Sequence, residues 1–112
     1  MVFTRSSPTA WGQTGSKLIA IDTLGTAQQG SSVTISSNGS IFGVGGPLDN
    51  SGLGANWIYN LSGSTYIQSG YKRVATGYNT ITKQGSSVSI SEDGKLLISG
   101  APQIGVTYVF MP

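Results

Sequence analysis

A chain of 112 residues is enough for one ordinary domain and no more. Charged residues make up 9% of it against 17 glycines, which argues against both a helical domain and a disordered chain. The formal net charge is +2, carried by scattered cations of which only Lys72 and Arg73 adjoin, a poor match to the clustered charge that tracks phosphates, so no nucleic-acid partner is expected.

Met1-Val2-Phe3-Thr4-Arg5 lacks the apolar core of a signal peptide, and no later run approaches the length of a membrane span. A soluble chain without membrane insertion is expected. From Ser32 to Ser36, Val33 and Ile35 alternate with Ser and Thr, the period of a half-buried strand. Asn38-Gly39 then reads as a two-residue hairpin turn with φ > 0 at both positions. A second strand, Ser40 to Val44, runs into Gly45-Gly46-Pro47, where proline cannot serve an interior ladder. After a Gly/Asn/Asp loop, Ala55 to Leu61 forms a third strand with Trp57, Tyr59 and Leu61 on one face. Ser62-Gly63-Ser64 turns the chain into a fourth, Thr65 to Ala75.

The remainder repeats what came before. Gln29-Gly30-Ser31-Ser32-Val33-Thr34-Ile35-Ser36 recurs as Gln84-Gly85-Ser86-Ser87-Val88-Ser89-Ile90-Ser91, an offset of 55 residues. The same offset takes Trp11 to Tyr66, Lys17 to Lys72, Gly45 to Gly100 and Pro47 to Pro102 without a gap. Trp57-Ile58-Tyr59 matches Tyr108-Val109-Phe110 at an offset of 51, so the second copy lacks four residues of the loop at 48–54. Four short strands in a repeated unit of this length are the pattern of a propeller blade.

These segments resemble the FG-GAP repeat of integrin-type β-propellers. Gly100-Ala101-Pro102 matches the family's Gly-Ala-Pro, and Gly45-Gly46-Pro47 is a near copy. Gln29–Val33 and Gln84–Val88 stand at its Phe-Gly segment with Gln in place of Phe, and 54–59 and 105–110 resemble its closing strand. The resemblance implies an all-β fold of two four-stranded antiparallel propeller blades: residues 29–75 form blade 1, residues 84–112 a partial blade 2, and residues 1–28 the strands that complete a neighbouring blade. Two blades cannot close a ring, so the favoured expectation is homo-oligomerisation, with six blades from three chains as the count, and the alternative is that the chain is a piece of a longer propeller. Many such repeats bind Ca²⁺ in an Asp-rich loop, but Ser36-Ser37-Asn38-Gly39-Ser40 has no carboxylate and Ser91-Glu92-Asp93-Gly94-Lys95 has two beside a lysine, so no cofactor is expected.

Catalysis is not expected either. With no His and no Cys, the commonest general base, the usual Zn²⁺ ligands and the thiol nucleophile are all missing. Asp22 and Asp49 read as isolated loop acids. The expected role is a non-catalytic structural or binding module, in an extracellular or surface-associated setting if one is favoured. The alternative is an oligomeric glycan-binding lectin with sites between blades. Tyr71 and Tyr78, which have no aromatic mate in the other copy, are its candidate contacts together with Asn56 and Trp57, although Trp57, which recurs as Tyr108, reads first as packing between blades.

Overall fold

The computed structural model describes residues 1–77 and 80–111. Its named strands form three small antiparallel sheets. A hairpin of β1 (Val2–Ser7) and β2 (Ala10–Thr14) comes first. Then follow a four-stranded meander, β3 (Ser32–Ile35), β4 (Ile41–Gly46), β5 (Ala55–Ser62) and β6 (Thr65–Gln68), and a three-stranded one, β7 (Ser87–Ile90), β8 (Leu97–Ala101) and β9 (Val106–Phe110). The two meanders are called sheet 1 and sheet 2.

The repetition extends to individual hydrogen bonds. The Gln29 side chain accepts from the Ala20 N–H at 2.9 Å, and Gln84 accepts from Ala75 at 2.8 Å. Gly30 N–H donates to the Gly45 carbonyl, and Gly85 to Gly100, both at 3.1 Å. Gln28 and Lys83, one residue before those glutamines, share a left-handed φ of 55°. A shared backbone path thus follows from the shared Gln-Gly-Ser-Ser segment.

Two expectations are corrected. The β3–β4 connection is not a two-residue hairpin turn. Ser36 N–H pairs with the Ile41 carbonyl, which leaves four residues in the loop, and of Asn38 and Gly39 only the glycine has positive φ. The Asn38 carbonyl oxygen instead accepts from the Ser40 N–H at 3.0 Å, as the Asp93 carboxylate does from Lys95 in the second copy. The fourth strand ends at Gln68 rather than Ala75, because Gly70 turns left-handed (φ 72°) and the Lys72 N–H is taken by a carboxylate. Pairing resumes only at Arg73, which exchanges backbone bonds with Asn56.

The core lies on one face of sheet 1. Val44 pairs with Trp57 and Phe42 with Tyr59 across β4 and β5, the latter rings stacked 5.0 Å apart. Segment 18–29 closes over them with Leu18, Ala20 and Ala27, so that Trp57 is 0% exposed. Removing that indole from water is worth about 2–3 kcal/mol, a large share for a chain this small.

Candidate functional site

The opposite face of sheet 1 carries the seam with sheet 2, and the backbones touch there. A Cβ on Gly45 would lie 2.7 Å from the Gly85 carbonyl carbon, and one on Gly85 would lie 2.5 Å from the Ala55 carbonyl oxygen. Neither distance leaves room for a side chain. Around this contact the Ser32 hydroxyl donates to the Gly85 carbonyl at 2.8 Å, and the Ile90 N–H donates to the Thr34 hydroxyl at 3.0 Å. Deeper in the seam the Ser99 hydroxyl donates to the Asn56 carbonyl oxygen at 2.8 Å and accepts from Gly85 N–H at 2.9 Å. Buried polar groups so paired cost little, whereas each left alone would cost about 1–3 kcal/mol.

The loop at 48–54, four residues longer than its counterpart in the second copy, reaches beside this seam. Its turn, Asp49–Gly52, places Asn50 (φ 50°, ψ 57°) and Ser51 (φ 57°, ψ 35°) in the left-handed region, where non-glycine residues are strained. The turn is held by Asp49, which is fully buried. Its carboxylate accepts from the Leu24 N–H at 2.7 Å and pairs with the Lys72 ammonium at 2.6 Å. Between the turn, residues 24–26 and the Ile81–Lys83 linker opens a hollow of about 500 Å³, lined by Leu24, Leu48, Asn50, Ser51, Ile81 and Lys83 among others.

A second acid organises the covered face. Asp22 accepts from the Trp57 indole N–H at 2.8 Å, the Gln68 amide at 3.1 Å and the Lys72 N–H at 2.7 Å. Partial burial works against its charge, but these donors outweigh it and hold its pKa below the usual carboxylate value. Burial pushes the Tyr59 phenol up, although the Gln29 amide donates to it at 3.0 Å. On the exposed β7–β8 turn, Asp93 is lowered by the Ser91 hydroxyl and the Lys95 N–H. That oxygen does the turn-closing work that Asn38 does in the first copy.

The sequence-derived contacts fare unequally. Asn56 and Trp57 are enclosed, both 0% exposed, with their polar atoms engaged as described, so neither presents a face to a ligand. Tyr71 is 80% exposed, and its backbone carbonyl accepts from the Arg73 guanidinium. Tyr78 lies outside the described residues. Asp22 and Asp49, read from sequence as isolated, are instead the hubs of two networks that share Lys72. The available sequence signal was that neither acid has an acidic mate in the other repeat. Among the described residues no three His, Cys, Asp or Glu side chains gather into a metal-binding group. Comparison with family models, with curated proteins and with solved structures gives no match.

Proposed function

We infer that this chain is a non-catalytic β-propeller repeat module whose sheets stack as blades, serving a structural or binding role. The observation that carries the reading is the Gly45–Gly85 contact, where two copies of one unit meet backbone to backbone, β4 of sheet 1 against the turn that leads into β7. Sheets that stack face to face with their first strands adjacent are the arrangement of blades about an axis. The Gly-Ala-Pro and Gln-Gly-Ser-Ser segments, which resemble the FG-GAP repeat, support it. A ring of six blades from three chains satisfies the closure that two blades lack.

The test is a single polypeptide carrying three copies of the chain in tandem, measured by small-angle X-ray scattering. A closed ring gives a disc-like distance distribution. A rod-like one would remove the propeller reading.

A second reading, a glycan-binding module, is favoured by the hollow beside the seam, where the Asn50 and Ser51 turn and the Lys83 chain offer polar groups next to Leu24 and Ile81. Titrating a panel of simple sugars while following amide NMR shifts at 24–26 and 50–52 tests it. Unmoved shifts throughout the panel would dispose of it.

A further inference from the structure

At three points where the seam admits no side chain, the repeat mate stands open. Gly45, Gly85 and Gly54 are hemmed in by backbone, a Cβ on Gly54 meeting the Gln84 nitrogen at 2.6 Å. Their mates are Gly100, Gly30 and Gly105. Gly30 and Gly105 have nothing within 4 Å of such a Cβ, and Gly100 meets only atoms of Ser87 in its own sheet. The strand faces tell the same story. In the seam, the hydroxyl face of β3 meets the half-buried Val88 and Ile90 of β7. At one end of the chain Val33 (68%) and Ile35 of β3 are exposed, and at the other Ser87 and Ser89 of β7 are. The two halves of one interface are present on opposite ends of the molecule.

The N-terminal hairpin fits the same scheme. Phe3 stands opposite Gln13 as Tyr59 stands opposite Gln68, and Gln13 and Gln68 are repeat mates. Phe110 lies opposite Leu97 as Tyr59 lies opposite Phe42. Phe3 and Phe110 therefore hold the same place in a third strand. β9 stops there, β5 runs three residues further to Ser62, and β1 supplies the equivalent stretch together with the fourth strand, β2. Met1, Val2 and Phe3, with Gln29 and Gly30, line a hollow of about 290 Å³ over Ile35, Phe42 and Val44, on the face opposite the seam.

We propose that a second copy of this chain docks head-to-tail at these surfaces. Sheet 2 of one copy lies on the Val33/Ile35 face of the next, filling that hollow. The next copy's Thr4–Ser7 and β2 extend its third strand and add its fourth, with Met1–Phe3 giving way to Tyr108–Phe110. The contact differs from the internal seam in a compensated way. Asn56 and Ser99, hydrogen-bonded inside the chain, become Thr107 and Val44, so both sides turn less polar together. Gly43 gives place to Ile98, which is 45% exposed and has the hollow to enter. The proposal rests on reading the two sheets as units of one stack.

The test uses two variants that each damage one end, Val33→Glu and Ile98→Glu, with light scattering after gel filtration. The wild-type chain is expected at multiples of its 11.5 kDa mass at tens of micromolar, each variant alone at no more than a single chain, and an equimolar mixture at two chains and no larger. Circular dichroism checks that each variant folds. Gly100→Ala, whose Cβ would displace only the Ser87 hydroxyl, gives the same readout without adding charge. A wild-type chain that stays at one mass up to 100 µM (about the range in which a weak specific contact assembles), or a mixture that stays monomeric while the wild type assembles, overturns the proposal. A monomeric wild type whose tandem fusion still scatters as a disc would defeat self-docking and leave the blade reading standing. Ordered pairing of the two variants with a rod-like fusion would do the reverse.

Discussion

Trp57 and Asp22 are joined by a hydrogen bond of 2.8 Å from the indole nitrogen to Oδ1, and the second repeat has no counterpart, since Tyr108 and Gly77 stand at the matching positions. The bond ties segment 18–29 to β5 and gives the fully enclosed indole N–H its acceptor. Asp22→Ala is therefore expected to cost about 2–3 kcal/mol, the range for stranding a buried donor of a charge-assisted bond, and Asp22→Asn about half of that. Urea unfolding at neutral pH measures both. Equal, near-zero effects would mean that the segment is held by apolar packing alone.

The same carboxylate sets a pH dependence. Its folded pKa lies below its unfolded value, so its contribution is fully present above the ordinary carboxylate range near 4 and is lost as the pH falls through the folded pKa. Asp93 is lowered too and adds in the same sense from the surface. The melting temperature is expected to be level from pH 7 to about pH 5 and to decline below about pH 4, with a shallower decline in Asp22→Asn. An identical acid limb in that variant would place the titration elsewhere.

Asp49 is the more exacting acid, because it is wholly buried and its cationic partner is Lys72 alone among the described residues. Removing the cation leaves a charge in the interior with, among the described residues, the Leu24 N–H alone to answer it. Lys72→Met is expected to cost about 3 kcal/mol, and adding Asp49→Asn to it should recover most of the loss. Thermal melts of the two single variants and the double variant close the cycle. Additive losses would show that the two side chains do not depend on each other.

How much of this was legible in the sequence depends on whether the determinant recurs. The strands, their order and the paired turns follow from residues that appear twice, such as Gln29 with Gln84 and Asn38 with Asp93, and these were readable by offset alone. Turn geometry was not. An Asn-Gly pair names a turn but not the loop length, and here the Asn side chain rather than its backbone conformation closes it. The Asp22 and Asp49 networks were hidden because each starts from an acid with no mate in the other repeat and reaches Lys72 across 23 to 50 residues, which no local pattern encodes. Periodicity put Trp57 on a face, but it could not say that a segment nearly forty residues earlier would cover that face (residue 20 against 57). That is why Trp57 suggested a ligand contact from sequence and proves to be interior.

The left-handed pair in the extra loop makes a smaller prediction of opposite sign. Asn tolerates this region, whereas the Ser51 side chain makes no hydrogen bond among the described residues that would offset the strain. Ser51→Gly is expected to raise stability by up to about 1 kcal/mol, offset in part by the freedom glycine adds to the unfolded chain. Chemical denaturation decides it. A loss of stability would mean that the hydroxyl holds the turn. A gain obtained together with weaker sugar shifts at 24–26 would tie the strained conformation to the hollow.

Gly45 and Gly100 offer the cleanest comparison in the chain, because neither has positive φ and each stands beside its own sheet's serine hydroxyl, Ser32 or Ser87. Backbone strain is therefore absent from both substitutions, and displacement of the serine is common to them. What differs is the Gly85 carbonyl, which confronts Gly45 and has no equivalent at Gly100 within one molecule. A serine hydroxyl rotates away, but the Gly85 peptide, in a turn whose N–H is bonded to the Gly100 carbonyl and the Ser99 hydroxyl, does not. Gly45→Ala is thus expected to destabilise by about 3 kcal/mol through overpacking, and Gly100→Ala by less than about 1 kcal/mol when measured at concentrations that keep the chain monomeric. Differential scanning calorimetry on dilute samples reports both, and equal losses would show that the serines rather than the seam dictate glycine at these positions. If the seam is the cause, Gly45→Ala should also uncouple the sheets, so that amide exchange quickens along β7 before it does along β4.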